Sequence, residues 1–167
     1  MSDPVSQRLA EDVITRAASE GLTAVTAESC TGGLVSAALT SIPGSSAAFT
    51  YGFVTYANEA KEDLVGVPPV LIAAHGAVSR HVAEAMAAGA LARSGADLSV
   101  AITGVAGPGG GTDEKPVGLV WFALGGPSGV RAERRLFPDT SRELVRTLAT
   151  RTALRLLQRG ITALSSA

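Results

Sequence analysis

Two side chains in this sequence have the types and the setting for acyl-transfer chemistry, Ser29 and Lys61. Ser29 lies in Thr26-Ala27-Glu28-Ser29-Cys30-Thr31-Gly32-Gly33, between an apolar run, Leu22 to Val25, and a helical one, Leu34 to Leu39. A strand, a tight turn of small residues and a helix bring a hydroxyl up to backbone N–H groups that have no partner within the helix and sit at its positive end. Such groups suit an anion or a developing oxyanion. A serine before a helix also serves as a plain N-cap, and on the local pattern both readings stand.

Lys61 closes the stretch Thr55-Tyr56-Ala57-Asn58-Glu59-Ala60-Lys61. With Asn58 as helix cap, Lys61 falls in the first turn, where the helix dipole repels a cation. Burial there would lower its pKa from the usual ~10.4 towards the range of roughly 7–8 in which lysine acts as a general base. A serine nucleophile with a neutral lysine is a coherent dyad that needs neither histidine nor metal. The other reading is a solvated surface lysine. Cys30 competes with Ser29, since a helix N-terminus lowers a thiol's pKa and His75 or His81 is available to assist. It equally suits a small packing position.

Two further stretches carry groups that bind anions. The loop Gly104 to Pro116 contains Gly104, Gly107, Gly109, Gly110 and Gly111, follows an apolar run, and lets backbone come close to a phosphate or ribose. No Gly-Lys-Ser/Thr follows it, so it is not a Walker A loop. A hairpin rather than a helix comes next, which excludes the dinucleotide fingerprint; a mobile surface loop is the alternative. In the last helix Val145, Ala149, Ala153, Leu156 and Leu157 define an inward arc that also holds Arg142 and Arg146, while Arg151 and Arg155 point more outward. The inward pair would hold a phosphate or pair with acidic side chains.

These residues need a scaffold, and the pattern supplies an α/β one. Asp3-Pro4 opens a helix with stripe Val5, Leu9, Val13 and Ala17, ended by Gly21. A strand over Leu22 to Thr26 leads to the Ser29 turn and a helix to about Ile42. A strand over Ala48 to Tyr56 leads to a short helix through Leu64 and another from Pro68-Pro69 to His75-Gly76. Ser79 caps a long alanine-rich helix to about Arg93, smooth enough to lie on a sheet or on a partner subunit. Leu98 to Thr103 reads as a buried strand. Gly118 to Leu124 and Val130 to Phe137 form a hairpin, and Thr140-Ser141-Arg142-Glu143 is a capping box for a helix to Gln158, with Gly160 beyond. The expectation is a three-layer α/β/α sandwich around a mixed, mostly parallel sheet of about five strands, with one strand reversed.

Composition narrows the function classes. The chain has 167 residues, 46% hydrophobic and 17% charged, and a formal charge of −1, which argues against nucleic acid as an obligate partner. Charges at helical intervals in the first twenty residues exclude a secretory signal, and no apolar run reaches the eighteen or so residues of a membrane span. The single cysteine allows no internal disulfide or multi-cysteine metal site, which fits a reducing cytoplasm. One domain over residues 1–167, without metal or cofactor, is expected.

Taken together, Ala27-Glu28-Ser29-Cys30-Thr31-Gly32-Gly33, Phe53 to Lys61, His75-Gly76-Ala77-Val78-Ser79, and Gly107-Pro108 through Lys115-Pro116-Val117-Gly118 resemble the CinA C-terminal-domain family over about residues 5 to 160. Its characterised members include a nicotinamide-nucleotide amidohydrolase. The length is similar to that of the stand-alone enzyme, without the MoaB-like domain of full-length CinA proteins. The resemblance implies hydrolysis of the carboxamide of nicotinamide mononucleotide (NMN) to nicotinate mononucleotide and ammonia, with Ser29 as nucleophile and Lys61 as its base. On this reading the backbone of Cys30, Thr31, Gly32 and Gly33 holds the oxyanion. Tyr56 and Thr103 orient the dyad. Asn58, Gly104, Gly107 and Gly110 contact ribose or phosphate, and Arg146, with Arg142, holds the phosphate. A homo-oligomer, a dimer foremost, is also implied. The departures are Ala57, where a serine is common, and the glycine-heavy Gly109-Gly110-Gly111. The rival readings are a Ser-Lys hydrolase of another amide and a non-catalytic nucleotide-binding module.

Overall fold

The computed structural model describes residues 3–138 and 141–167. The chain runs α1 (Pro4–Glu20), β1 (Ala24–Glu28), α2 (Leu34–Thr40), a 3-10 turn (Ser45–Ala47), β2 (Phe49–Val54), α3 (Asn58–Val65), α4 (Pro69–His75), α5 (Arg80–Ser94), β3 (Leu98–Gly104), β4 (Leu119–Gly126), β5 (Gly129–Leu136) and α6 (Arg142–Ser165). The sheet order is β2-β1-β3-β4-β5. β1 pairs parallel with both β2 and β3, and β4 pairs antiparallel with β3 and β5, so β4 alone runs against the other four strands. That is the mixed sheet with one reversed strand that the closing hairpin predicts.

Alternation along β3 explains the layers. Side chains two apart share a face, and Leu98, Val100 and Ile102 join the apolar cluster that includes α1, α2 and α6. Ala101 faces the other way, into a cluster with Ala27, Ala123 and the α5 residues Val82, Ala83, Met86, Ala87 and Ala90. Small residues on both sides let α5 lie close to the sheet, and Ser99 Oγ donates to Ala87 O at 2.9 Å across the gap. The alanine face of α5 therefore packs on this chain's own sheet. At Gly89 the approach is closer still, since a Cβ there would fall 1.6 Å from Val65 O at the end of α3.

Several boundaries differ from the sequence pattern, each for a visible reason. Gly21 caps α1 in the left-handed conformation, Leu22 N–H bonds back to Ala17 O, and Thr23 N–H is held by Asp97 Oδ2 at 2.8 Å. The strand accordingly starts at Ala24, two residues later than expected, and ends at Glu28, which leaves Ser29 as the first residue beyond it. α1 buries Ser6, Ala10, Val13, Ile14 and Ala17, with Val5 and Leu9 only partly covered. Its cap Asp3 accepts from Ser6 N–H and also takes a bidentate ion pair from Arg151, which holds the carboxyl well below the usual carboxylate range and turns Arg151 inward. The cap of α3 is Ala57, with Asn58 as the first helical residue. Ser141 caps α6 by accepting from Leu144 N–H, whereas Thr140 lies outside the described residues. Gly160 does not end α6. It is buried within the helix, where a Cβ would come 3.0 Å from Leu98 and crowd the seat of α6 on the sheet. No helix among the described residues is long and apolar enough to cross a membrane.

Candidate active site

The chain reverses direction across the sheet around β1: the connection through α2 leads outward to β2, and the next returns past β1 to β3. Crevices at the carboxyl ends of strands open at such a switch point. Ser29 stands there. Its N–H donates to Ile102 O at 2.9 Å, extending the β1–β3 ladder by one bond, and Thr55 N–H donates to Glu28 O at 2.8 Å from the β2 side. The turn into α3 is thereby pressed against the end of β1.

Lys61, in the first turn of α3, points back into that corner. Its Nζ lies 3.0 Å from Ser29 Oγ and donates to Thr55 O at 2.8 Å and Tyr56 O at 3.1 Å. Lys61 is 1% exposed and Ser29 8% exposed. None of the salt bridges among the described residues involves Lys61. Burial pushes its pKa below the ordinary 10.5. A neutral amine has two hydrogens and one lone pair. Two carbonyls and one hydroxyl are the partners such an amine uses fully, with the lone pair facing the Ser29 hydroxyl.

The helix N-terminus behind Ser29 does not stand open to a ligand, as the sequence pattern predicts, because Glu28 fills it. Its carboxylate, fully buried, accepts from Gly33 N–H (3.1 Å), Val35 N–H (3.1 Å), Ser36 N–H (2.8 Å) and Ser36 Oγ (2.8 Å). These charge-assisted bonds satisfy the orphan donors of α2 from within. Gly32 N–H is also occupied, donating to Ser29 O at 3.0 Å. Of the four expected oxyanion donors, Gly32 and Gly33 are thus committed to the turn. No hydrogen bond among the described residues occupies the N–H groups of Cys30 and Thr31, of which Cys30 lines the cavity and Thr31 lies buried directly behind it in the turn. Glu28 was the unread residue in the motif; a charge within an otherwise buried strand, just before a helix, is its signal.

The two arginines part company. Arg146 Nε donates to Cys30 O at 3.1 Å and its terminal nitrogen to Thr31 O at 3.2 Å, so it clamps the turn and does not line the cavity beside Ser29. Because N–H and C=O point oppositely in a trans peptide, holding Cys30 O fixes the direction of Thr31 N–H. Arg142 lies at the cavity, donating to Gly107 O at 2.9 Å and Tyr56 Oη at 3.0 Å, both uncharged acceptors. Tyr56 reaches Lys61 through its carbonyl, and the residue is 58% exposed at the rim. The Thr103 hydroxyl lines the cavity but donates to Ala77 O at 2.8 Å rather than to the dyad.

The cavity encloses about 210 Å³, with Ser29, Cys30 and Lys61 meeting Asn58, Ala77, Val78, Thr103, Gly104, Ala106 and Arg142 around it. Ala77, Val78 and Ala106 carried no functional signal of their own; they supply apolar wall. Gly107 contributes its carbonyl to Arg142, and Gly110 is exposed, with open space around it and no part in the lining. Cys30 is 5% exposed, and burial raises its thiol pKa to about 11, which leaves it protonated and a poor nucleophile at neutral pH.

The fold and site define a class: a three-layer α/β/α domain with a buried serine–lysine pair at the switch point of a mixed sheet. The CinA C-terminal domain family matches over residues 6–161, and the chain belongs to that family. A putative competence-damage inducible protein of Symbiobacterium thermophilum is 56% identical over 151 residues, covering 85% of this chain and 35% of its own length. A CinA-like protein of Mycolicibacterium gilvum is 55% identical over 141 residues, 84% of this chain and 33% of its own length. The chain thus spans about a third of the curated relatives it matches. Among solved structures, the competence/damage inducible protein CihA from Agrobacterium tumefaciens superposes with a TM-score of 0.93 at 47% identity, covering 96% of this chain and 98% of its own. A competence-damaged protein (CinA) superfamily protein from Escherichia coli gives 0.88 at 36% identity, covering 95% and 92%.

Proposed function

We propose that this chain is an amidohydrolase that removes the carboxamide nitrogen of NMN as ammonia through an acyl-enzyme on Ser29. The observation that carries the reading is the Lys61 amine, buried with no carboxylate partner among the described residues, 3.0 Å from Ser29 Oγ. A lysine whose charge is disfavoured by burial and whose amine faces a hydroxyl suits a general base, a feature a pure binding module does not need.

In this mechanism neutral Lys61 takes the Ser29 proton as Oγ bonds to the carboxamide carbon. The oxyanion forms at the N–H groups of Cys30 and Thr31, which Arg146 and the Glu28-filled helix end hold in place. Protonated Lys61 then has three hydrogens for Thr55 O, Tyr56 O and the leaving nitrogen. It gives one proton to that nitrogen as the C–N bond breaks and ammonia departs. Water, deprotonated by the same lysine, adds to the nicotinyl ester and releases Ser29 and nicotinate mononucleotide. The cavity of about 210 Å³ accepts the pyridine ring and its carboxamide. Arg142 at the rim, held among the described residues by a carbonyl and a phenol, offers its charge to the phosphate. Hydrolysis of another amide by the same dyad would leave Ser29 and Lys61 in these roles and change only what Arg142 and the rim contact.

The test is direct. Purified protein with NMN, in the presence of chelator, is expected to release ammonia and nicotinate mononucleotide in equal amounts, and Ser29→Ala and Lys61→Ala are expected to abolish both. Turnover that persists in Ser29→Ala would remove the acyl-enzyme from the scheme. Saturable NMN binding without turnover would turn the reading to a binding module.

A further inference from the structure

Two hollows larger than the Ser29 cavity lie along the C-terminal half of α6. One, of about 660 Å³, is lined by Arg135 of β5 and by Thr152, Arg155, Gln158, Arg159 and Thr162 of α6. The second, of about 510 Å³, takes Leu98, Leu124, Leu156 and Leu164 into its wall. Arg159 and Ala163 line both, so the hollows adjoin. At 100° per residue, Thr152, Arg155, Arg159 and Thr162 fall on one arc of α6 and Leu156, Gly160 and Leu164 on the next. The ridge between them is an ion pair: Glu133 accepts from Arg159 at 3.0 Å and meets Arg135 at 2.7 Å.

Charge in the first hollow is unbalanced. Arg135, Arg155 and Arg159 line it; Arg135 and Arg159 share the carboxylate of Glu133 in the adjoining wall, Asp12 accepts from the Gln158 amide at 2.8 Å, and Arg155 makes no ion pair or hydrogen bond among the described residues. The Thr152 and Thr162 hydroxyls and the Gln158 amide already donate to Leu148 O, Gln158 O and Asp12 Oδ2, so the guanidinium forks are the groups that match phosphate oxygens. The leucine-walled neighbour suits a flat, uncharged group joined to such an anion. The site is separate from Ser29, since Leu98 opens β3 and Thr103, five residues on, lines the Ser29 cavity. That places the two about 17 Å apart along the strand.

We propose that these joined hollows bind a nucleoside polyphosphate, the phosphates on Arg135, Arg155 and Arg159 and the base among Leu98, Leu124, Leu156 and Leu164. The three arginines line one hollow in a chain of net charge −1, whereas a nucleic-acid backbone calls for a basic face.

Titration calorimetry of the full chain with ATP, pyrophosphate and adenosine tests this. Saturable binding of ATP and of pyrophosphate is expected, with adenosine alone far weaker. Arg155→Glu is expected to weaken ATP by at least about tenfold, the scale of one charge-assisted phosphate contact, with its melting temperature unchanged. Arg135→Gln provides a second variant with the same expectation, and Arg142→Ala is expected to bind ATP as the parent does. Absence of saturable heat with ATP and pyrophosphate overturns the proposal. So does equal affinity in the parent and both β5/α6 variants, loss of ATP binding in Arg142→Ala alone, or displacement of ATP by a single-stranded oligonucleotide that binds more tightly as it lengthens.

Discussion

Lys61 Nζ and Ser29 Oγ stand 3.0 Å apart at the end of β1, with no carboxylate among the described residues paired to the amine and Lys61 only 1% exposed. A serine–lysine pair placed this way acts as a unit, so removing either member costs about as much as removing both. Ser29→Ala and Lys61→Met are each expected to lower kcat by at least about a thousandfold, and the double variant to fall no further. Ammonia release under single-turnover conditions checks this, and a double variant clearly worse than either single one would separate the two residues.

The same burial sets a pH dependence with a definite sign. The folded state lowers the Lys61 pKa below 10.5, so between the folded and unfolded values the unfolded chain binds the extra proton, and stability rises with pH at up to about 1.4 kcal/mol per unit. Lys61→Met has no such slope. It is expected to be more stable than the parent, by the widest margin below the folded pKa and by a shrinking one towards pH ~10.4. Urea unfolding across that range measures the difference, and a constant gap would contradict a neutral Lys61. In parallel, kcat/KM is expected to rise with pH through the lowered pKa and then level.

The layers were legible in the sequence because they follow local rules, whereas the residues around Ser29 and Lys61 left a cap and a surface lysine open and the family resemblance favoured pairing them. Asp3-Pro4 and Ser79 mark helix starts, a short apolar run entering a glycine loop marks β3, and Asn-Glu-Ala-Lys puts Lys61 one turn into α3 whichever residue caps it. Tertiary packing hid the rest. Helical phase puts both Arg142 and Arg146 inward, but which meets the cavity and which meets the carbonyls of Cys30 and Thr31 depends on where α6 lands against the β1–α2 turn. Gly160 reads as a stop signal locally and is instead a contact with Leu98.

Arg142 and Arg146 are therefore expected to fail in different ways. Arg142→Ala removes a charge at the cavity rim, and its KM for NMN is expected to rise about 10- to 100-fold, as for a lost charge-assisted bond of about 1.5–3 kcal/mol. The rise for nicotinamide riboside, which lacks the phosphate, is expected to be small. Arg146→Ala releases the Cys30 carbonyl whose peptide orients Thr31 N–H, and kcat is expected to fall for both substrates with KM little changed. Steady-state kinetics on the two substrates separates these, and a phosphate-selective KM effect in Arg146→Ala would reverse the assignment.

Cys30, beside the nucleophile, is expected to be dispensable as a thiol. Burial holds its pKa at about 11, so at pH 8 the thiolate fraction is about one in a thousand. Iodoacetamide is expected to leave Cys30 largely unmodified over the time in which a free thiol reacts completely. Cys30→Ala is expected to keep most of the activity, since the backbone N–H remains. Peptide mass analysis and an assay of the variant check both, and inactivation that follows rapid alkylation would point to a reactive thiol.

Glu28 gives the clearest separation of structure from chemistry. Its carboxylate touches the N–H groups of Gly33, Val35 and Ser36 and the Ser36 hydroxyl, and it lies on the helix side of the turn, away from the residues lining the cavity. Glu28→Gln keeps one acceptor oxygen, loses the charge that complements the α2 dipole, and turns an NH2 group towards N–H donors. A loss of about 2–3 kcal/mol in unfolding free energy is expected. Glu28→Ala leaves several buried donors without partners, and its cost is expected to exceed that of the glutamine variant. Activity is expected to follow the geometry of the turn: in Glu28→Gln, kcat falls because the Cys30 and Thr31 N–H groups lose their fixed direction, while the pH at which kcat/KM rises stays where Lys61 sets it. Denaturant unfolding together with a pH–rate profile tests the pair of expectations, and a shift of that pH in Glu28→Gln would assign Glu28 to the proton chemistry instead of to the turn.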